Sequence, residues 1–367
     1  MNRIKVMFHL AVIVIIVAAA LSGCAGATEL KQGTGEQMRA VVSTEFGTPD
    51  VLRVEQIDRP TITEDNQVLV KVRAAAINPL DWHEIRGTPY FGRLMGMGFR
   101  SPKNPKRGVD FAGEIVAVGK GVTRFKPGDA VFGVAPGALA EYAWARDTRI
   151  ALKPEGLSYE EAAAIPVAAI TALQSLRDAG QLKAGQKVLI NGASGGVGTY
   201  GVQIAKALGA EVTAVCSGRN AELVRSLGAD HVIDYTTEDF TERPERYDLV
   251  IDNVRNRSLA EMRSVLTDEG TFVLVGGGGP DDMKWGFGFI GSIIHRKVAG
   301  WFTDQKLGFM LASVRTADLE YVAGLMAEGK VRSVIDRRYP LAQTPDAIRY
   351  LETGRARGKV VIEVAGE

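Results

Sequence analysis

The sequence predicts an α/β protein of about two domains, an irregular β-rich portion followed by a parallel doubly wound sheet. Three observations carry this. The 367 residues correspond to about two domains at roughly 150 residues each. From residue 38 to 159 the chain shows short β-rich runs broken by glycine and proline, as at 67–74, 111–118 and 129–134, which is an all-β signature. From 160 to 302 it changes to strand, helix, strand at short intervals, the alternation of a parallel sheet covered by helices.

Composition narrows the classes. A hydrophobic content of 46% supplies two cores and excludes disordered, collagen-like and disulfide-scaffold chains. With 44 basic and 43 acidic residues the net charge is +1, so no global field favours nucleic acid. Two cysteines, Cys24 and Cys216, and four scattered histidines, His9, His83, His231 and His295, lack the spacing of a zinc site, so no metal is expected.

Taken in order, the chain opens on Arg3 and Lys5, an apolar run from Leu10 to Leu21, and then Ser22-Gly23-Cys24. Basic flank, short apolar run and small residues are the parts of a secretory signal. A helix of that length rises about 18 Å, short of the roughly 30 Å hydrocarbon core, so a membrane span is disfavoured. Leu21-Ser22-Gly23-Cys24 resembles the lipobox of bacterial lipoproteins. The expectation is a signal peptide over 1–23, lipidation at Cys24, a polar tether over 24–37, and a membrane-anchored protein on the extracytoplasmic face. The alternative is translation from Met38, which gives a cytoplasmic protein.

In the α/β portion, strands are expected at 187–190, 211–215, 231–234, 248–252 and 271–275. After the first comes a helix whose Val197, Tyr200, Gly201, Ile204 and Leu208 recur at helical spacing. Between strand and helix lies Asn191-Gly192-Ala193-Ser194-Gly195-Gly196-Val197-Gly198. This is the setting of the Rossmann dinucleotide fingerprint, although Ala193 stands where the first glycine usually falls. Glycines let the backbone approach a pyrophosphate, whose charge meets the unpaired N–H groups and positive end of the helix. The second strand ends in Val215-Cys216-Ser217-Gly218-Arg219, without the acid that holds both ribose hydroxyls of NADH. Ser217 and Arg219 suit NADPH instead, because guanidinium forks onto phosphate. After residue 302, helices are expected at 318–327 and 344–353, and strands at 333–337 and 359–364.

Together these residues resemble the medium-chain dehydrogenase/reductase superfamily, and within it the zinc-free quinone reductases related to zeta-crystallin and the reticulon-interacting reductases. The resemblance rests on Met38-Arg39-Ala40-Val41-Val42, Ala76-Ile77-Asn78-Pro79-Leu80-Asp81, the 113–119 run, Phe125-Lys126-Pro127-Gly128-Asp129, the 193–198 turn, Leu227-Gly228-Ala229-Asp230 and Gly358-Lys359-Val360-Val361. It implies a GroES-like β-barrel catalytic domain over 38–159, an NADP-binding Rossmann domain over 160–302, and a return of 303–367 to the catalytic domain. The family's usual homodimer is a further expectation. Its zinc members place ligands near Asn78, Val109 and Ala168, and this chain has none there.

Without a Lewis acid, alcohol oxidation is disfavoured, and the resemblance implies NADPH-dependent hydride transfer to a quinone or an α,β-unsaturated carbonyl. Enoyl thioesters are the alternative substrate, weakened by the lack of a basic cluster. The resemblance points to Asn78, Asp81, His83 and Tyr90 as the catalytic candidates. His83 and Tyr90 are the candidate proton donors, and Asn78 and Asp81 are read as shaping the cleft first and as contacting substrate or ribose second. Thr171, Tyr235, Asn253, Gly276 and Gly277 are cofactor contacts by matching motif, with Arg357 and Lys359 reaching its phosphates. Export would deprive such an enzyme of NADPH, so a catalytically silent, membrane-tethered binding protein is the other reading.

Overall fold

A computed structural model describes residues 35–90, 92–276 and 303–364. The signal over 1–23, Cys24, nearly all of the tether and Gly277 lie outside the described residues.

Fifteen described strands form three sheets. Strands β1 (Gln37–Val42) and β2 (Arg53–Asp58) pair antiparallel by themselves. The first large sheet is built on β3 (Gln67–Ile77), which is buried along almost its whole length. Around it lie β4 (Asp110–Val118), β5 (Ala130–Val134), β6 (Tyr142–Arg146) and β7 (Ile150–Leu152). The second sheet comprises β8 (Lys187–Asn191), β9 (Glu211–Cys216), β10 (His231–Asp234), β11 (Tyr247–Asp252), β12 (Leu266–Leu274) and β13 (Lys306–Phe309). The chain then returns through β14 (Ile335–Pro340) and β15 (Lys359–Glu363), and β15 pairs antiparallel with β3. The first sheet thus runs β14-β15-β3-β4-β5-β7, with β6 also on β3.

The second sheet is parallel throughout, in the order β10-β9-β8-β11-β12-β13. Its central strands read as continuous Val, Leu and Ile because both faces are covered. The order reverses between β8 and β11, which opens a crevice at their carboxyl ends. This is the α/β architecture the sequence predicts.

Among the described residues eight α-helices take their places around these sheets: α1 (Pro79–Arg86), α2 (Tyr159–Ala163), α3 (Pro166–Gln174), α4 (Gly196–Ala207), α5 (Ala221–Ser226), α6 (Leu259–Ser264), α7 (Thr316–Ala327) and α8 (Thr344–Glu352). Helices α2 and α3 join the two sheets. Their Ala162, Ala163, Ala168, Ala169 and Ala172 are buried in one core with Ala74 and Phe132 of the first sheet and Val188 and Ile190 of the second. Small side chains there let helix and sheet backbones approach closely.

Strand β13 has no counterpart in the sequence reading. Four residues with lysine at one end and glycine within carry too short a pattern, and the strand is defined by pairing with Thr271–Leu274. Helix α7 packs Leu319, Val322 and Leu325 into the same core as the parallel sheet. Residues 306–309 therefore belong to the second sheet, whereas the sequence assigns everything after 302 to the first; α7 sits between the two, its Thr316 hydroxyl on Asp147 O and Ile150 O of the first domain.

Candidate active site

Strand β8 ends at Asn191 and helix α4 begins at Gly196, so the glycine turn spans the crevice. Gly192 has φ +79°, and the N–H groups of Gly192 and Ala193 donate to Val215 O at 3.1 and 3.0 Å. Gly198 permits the closest approach: a Cβ there would lie 2.2 Å from Gly192 O. Gly195, by contrast, leaves space, while a Cβ on Gly196 would come within 3.3 Å of Lys359 Cδ. A Cβ on Gly195 would meet nothing nearer than Gly192 O at 3.6 Å. A cradle of open glycines at a helix N-terminus fits a dinucleotide pyrophosphate.

The carboxyl ends of neighbouring strands supply the rest. Ser217 and the exposed Arg219 follow β9, and Arg219 Nη2 donates to Arg355 O at 3.4 Å. Tyr235 follows β10 and is exposed. Asn253 follows β11, donates from Nδ2 to Asn191 O at 3.0 Å, and keeps a buried Oδ1 with no partner among the described residues. Gly276, after β12, is exposed with open space around it. Thr171 is spent within α3, its hydroxyl donating to Val167 O at 2.6 Å. Arg357 is exposed, with its N–H on Asp336. Sequence reasoning missed an acid here: Asp234 accepts from Gly218 N–H and from Thr236, bonds that hold its carboxyl below the usual range.

The first domain reaches the turn through its C-terminal strand. Gly358 N–H donates to Ser194 O at 2.9 Å, and Gly195 bridges Gly358. Lys359 follows directly and points into the protein, not to solvent. Its Nζ donates to Asn78 Oδ1 at 2.6 Å, to Asp110 Oδ2 at 3.3 Å and to Ile77 O at 3.3 Å. Asn78 Nδ2 also donates to Asp110 Oδ2, at 2.9 Å, and Val167 N–H donates to Asp110 Oδ1. Burial pushes the Asp110 carboxyl up, opposed by the Lys359 ammonium.

Asn78 also starts α1, where its N–H donates to Asp81 Oδ2 at 2.6 Å. Burial, then repulsion from Glu84, pushes the Asp81 carboxyl up to about 8, and its Oδ1 is buried without a partner among the described residues. Asp81 is therefore protonated in the folded chain at neutral pH, whereas an unfolded aspartate ionises near 3.9. Between about pH 4 and 8 the unfolded chain binds fewer protons, so this group lowers stability as pH rises through that window. Asp81→Asn, which keeps an oxygen for Asn78 N–H and cannot ionise, should flatten the loss. Urea midpoints at pH 5 and pH 8 check this, and an undiminished drop in the variant would refute it.

The remaining candidates sit on or just after α1. His83 stacks on Trp82 with centroids 3.7 Å apart, and its Nδ1 lies 3.1 Å from Thr88 Oγ1. Burial lowers its pKa to about 4, so the imidazole is neutral. Tyr90 lies under the Arg93 guanidinium, 4.8 Å from the ring centroid. With Arg93, Phe99 and Arg100 it lines a cavity of about 490 Å³. The basic side chains around Tyr90 were not evident from sequence.

A Rossmann-type sheet with an open glycine cradle, joined to a β domain that reaches into the crevice, defines a dinucleotide-dependent oxidoreductase. Residues 64–155 match the alcohol dehydrogenase GroES-like domain and residues 227–362 the zinc-binding dehydrogenase family. The chain belongs to the medium-chain dehydrogenase/reductase superfamily, whose oxidoreductases use a nicotinamide cofactor. It is 36% identical to the 2-methylene-furan-3-one reductase of Solanum lycopersicum over 94% of this chain and 84% of that protein. It is 34% identical to the mitochondrial NAD(P)H oxidoreductase RTN4IP1 of Homo sapiens, over 89% of each. The quinone oxidoreductase structure from Coxiella burnetii superposes with a TM-score of 0.78 at 32% identity, over 90% of this chain and all of that one.

The second family's name implies zinc, which prefers cysteine and histidine. Cys216, the one cysteine among the described residues, is buried at the end of β9 with its thiol pushed up to about 11, mainly by that burial. His83 and His231 are apart, His231 lying against Glu211. No group of three or more metal-ligating side chains comes together among the described residues, so they do not fit zinc.

The lipid-anchored, extracytoplasmic placement is overturned. Relatives aligned along most of the chain are named for the chloroplast or the mitochondrion, and no helix among the described residues is long and apolar enough to cross a membrane. The physical reason for the misreading is that a basic flank before a short apolar run is common to several addresses, and the lipobox match is only four residues long.

Proposed function

We propose that the protein is a zinc-independent, NADPH-dependent reductase of quinones and α,β-unsaturated carbonyls. The observation that carries this reading is the placement of Ser217, Arg219 and the Arg355 loop beside the glycine cradle. These groups suit a 2′-phosphate, and the strand's end holds no carboxylate of its own.

Bound there, NADPH supplies a hydride. The cradle's free N–H groups bind the pyrophosphate, and Arg219 neutralises the 2′-phosphate. Asn78 and the protonated Asp81 shape the cleft without adding a negative charge that would oppose the one developing on the acceptor's carbonyl oxygen. Tyr90, which borders open space, would hold the proton for the acceptor. Neutral His83 is the second donor. Enoyl thioesters are a second reading, favoured by Arg93 and Arg100 beside Tyr90, because thioester carriers are anionic.

The test is NADPH oxidation by the full chain with a quinone, an enal and an enoyl thioester, each with and without a zinc chelator. Turnover that ignores the chelator is expected, and chelator-sensitive turnover would defeat the zinc-free reading. Arg219→Ala should lower the NADPH-to-NADH affinity ratio by about ten- to a hundred-fold, the worth of one charge-assisted contact. An unchanged ratio removes Arg219 from the site.

A further inference from the structure

Asn220 lies outside the glycine motif, yet it ties the motif to the end of β9. Its Nδ2 donates to Ser194 Oγ at 2.9 Å and to Ser217 Oγ at 3.2 Å. It is only 4% exposed, and its Oδ1 is buried without a partner among the described residues. The short turn that carries it is closed by Asn220 N–H donating to Ser217 O at 2.8 Å.

A hydroxyl has one proton and two lone pairs. When its oxygen already accepts from Asn220, the proton is what it has left to offer. We propose that Asn220 is a specificity-determining positioning residue that sets Ser194 and Ser217 as paired donors toward the 2′-phosphate end of the cofactor. A phosphate is rich in acceptor oxygens and is served by donors, whereas the 2′-hydroxyl of NADH is best served by a carboxylate acceptor. The nearby Asp234 carboxylate is held at the turn by Thr236 and by Gly218 N–H. This inference rests on the NADPH reading.

The test is a double-mutant cycle on the full chain, with NADPH and NADH dissociation constants from fluorescence titration. Asn220→Ala is expected to lower the NADPH-to-NADH affinity ratio about ten-fold. Added to Ser194→Ala and Ser217→Ala, it should lower the ratio no further, because Asn220 acts through those hydroxyls. A merely structural role would weaken both cofactors alike. Asn220→Ser serves the same cycle should the alanine variant not fold. An equal drop in the serine-free background, or an unchanged ratio, would overturn the role. So would a raised ratio, which would mean the amide accepts from the serines and turns their lone pairs outward. A parent chain without NADPH preference would defeat the cofactor reading itself, and this inference with it.

Discussion

Replacing Lys359 with methionine is expected to destabilise the fold by about 3–5 kcal/mol, the cost of leaving one partner of a buried ion pair without the other. Lys359 is 3% exposed and Asp110 not at all. Without the ammonium, Asp110 keeps only Asn78 Nδ2 and Val167 N–H, neither of which carries a charge. Methionine matches the length of the lysine stem, so the loss reports charge rather than packing. Adding Asp110→Asn removes the stranded charge and should restore most of the stability. Urea unfolding of the full chain at pH 7 measures the parent and both variants, and Lys359→Met within about 1 kcal/mol of the parent would show that the pair is not a structural tie. Because Gly358 next to it pairs with the glycine turn, the single variant should weaken nicotinamide binding as well. That is the cost of joining the two sheets at the glycine turn.

Lys359 also shows where sequence reasoning reaches its limit. Its strand reads Lys359-Val360-Val361-Ile362, with apolar residues on both faces, so the strand was legible but the direction of its lysine was not. The partner that turns it inward lies 249 residues away, and no local pattern encodes that distance. Strands β8 to β11 and the 271–274 half of β12 were legible for the opposite reason: each is a short apolar run bounded by glycine or polar residues, and the helical spacing after β8 is strong. The glycine turn was legible because its chemistry is local. Asn220 was not, because an isolated asparagine after a strand is usually a turn residue, and only the fold brings it to two serines. Asp81 was read as shaping the cleft, and its place at the start of α1 was implicit in Asn78-Pro79. Its raised pKa depends on burial, which sequence does not show. Arg93 and Arg100 lie within ten residues of Tyr90, but that they line one cavity with it depends on the path of the loop after α1.

Alanine at two glycines of the same turn should give opposite results. At Gly198 the new Cβ would lie 2.2 Å from Gly192 O and 2.6 Å from Ala193 Cα. Both are backbone atoms that cannot rotate away, so the turn must open, at a cost of about 1–3 kcal/mol or more, and binding is lost with it. At Gly195 the backbone is extended, with φ −82° and ψ −178°, a conformation alanine adopts freely, and the Cβ has 3.6 Å of clearance. Stability there should stay within about 1 kcal/mol of the parent, or rise slightly as the unfolded chain loses freedom. Yet the methyl stands at the helix N-terminus where phosphate oxygens need the backbone N–H groups. NADPH and NADH affinity should therefore fall together, by about a hundred-fold, the equivalent of two ordinary hydrogen bonds. Thermal melts and cofactor titrations on both variants separate the cases. A Gly195→Ala protein that folds and binds NADPH like the parent would mean that this turn only connects strand to helix, and the cofactor would have to be sought elsewhere in the crevice.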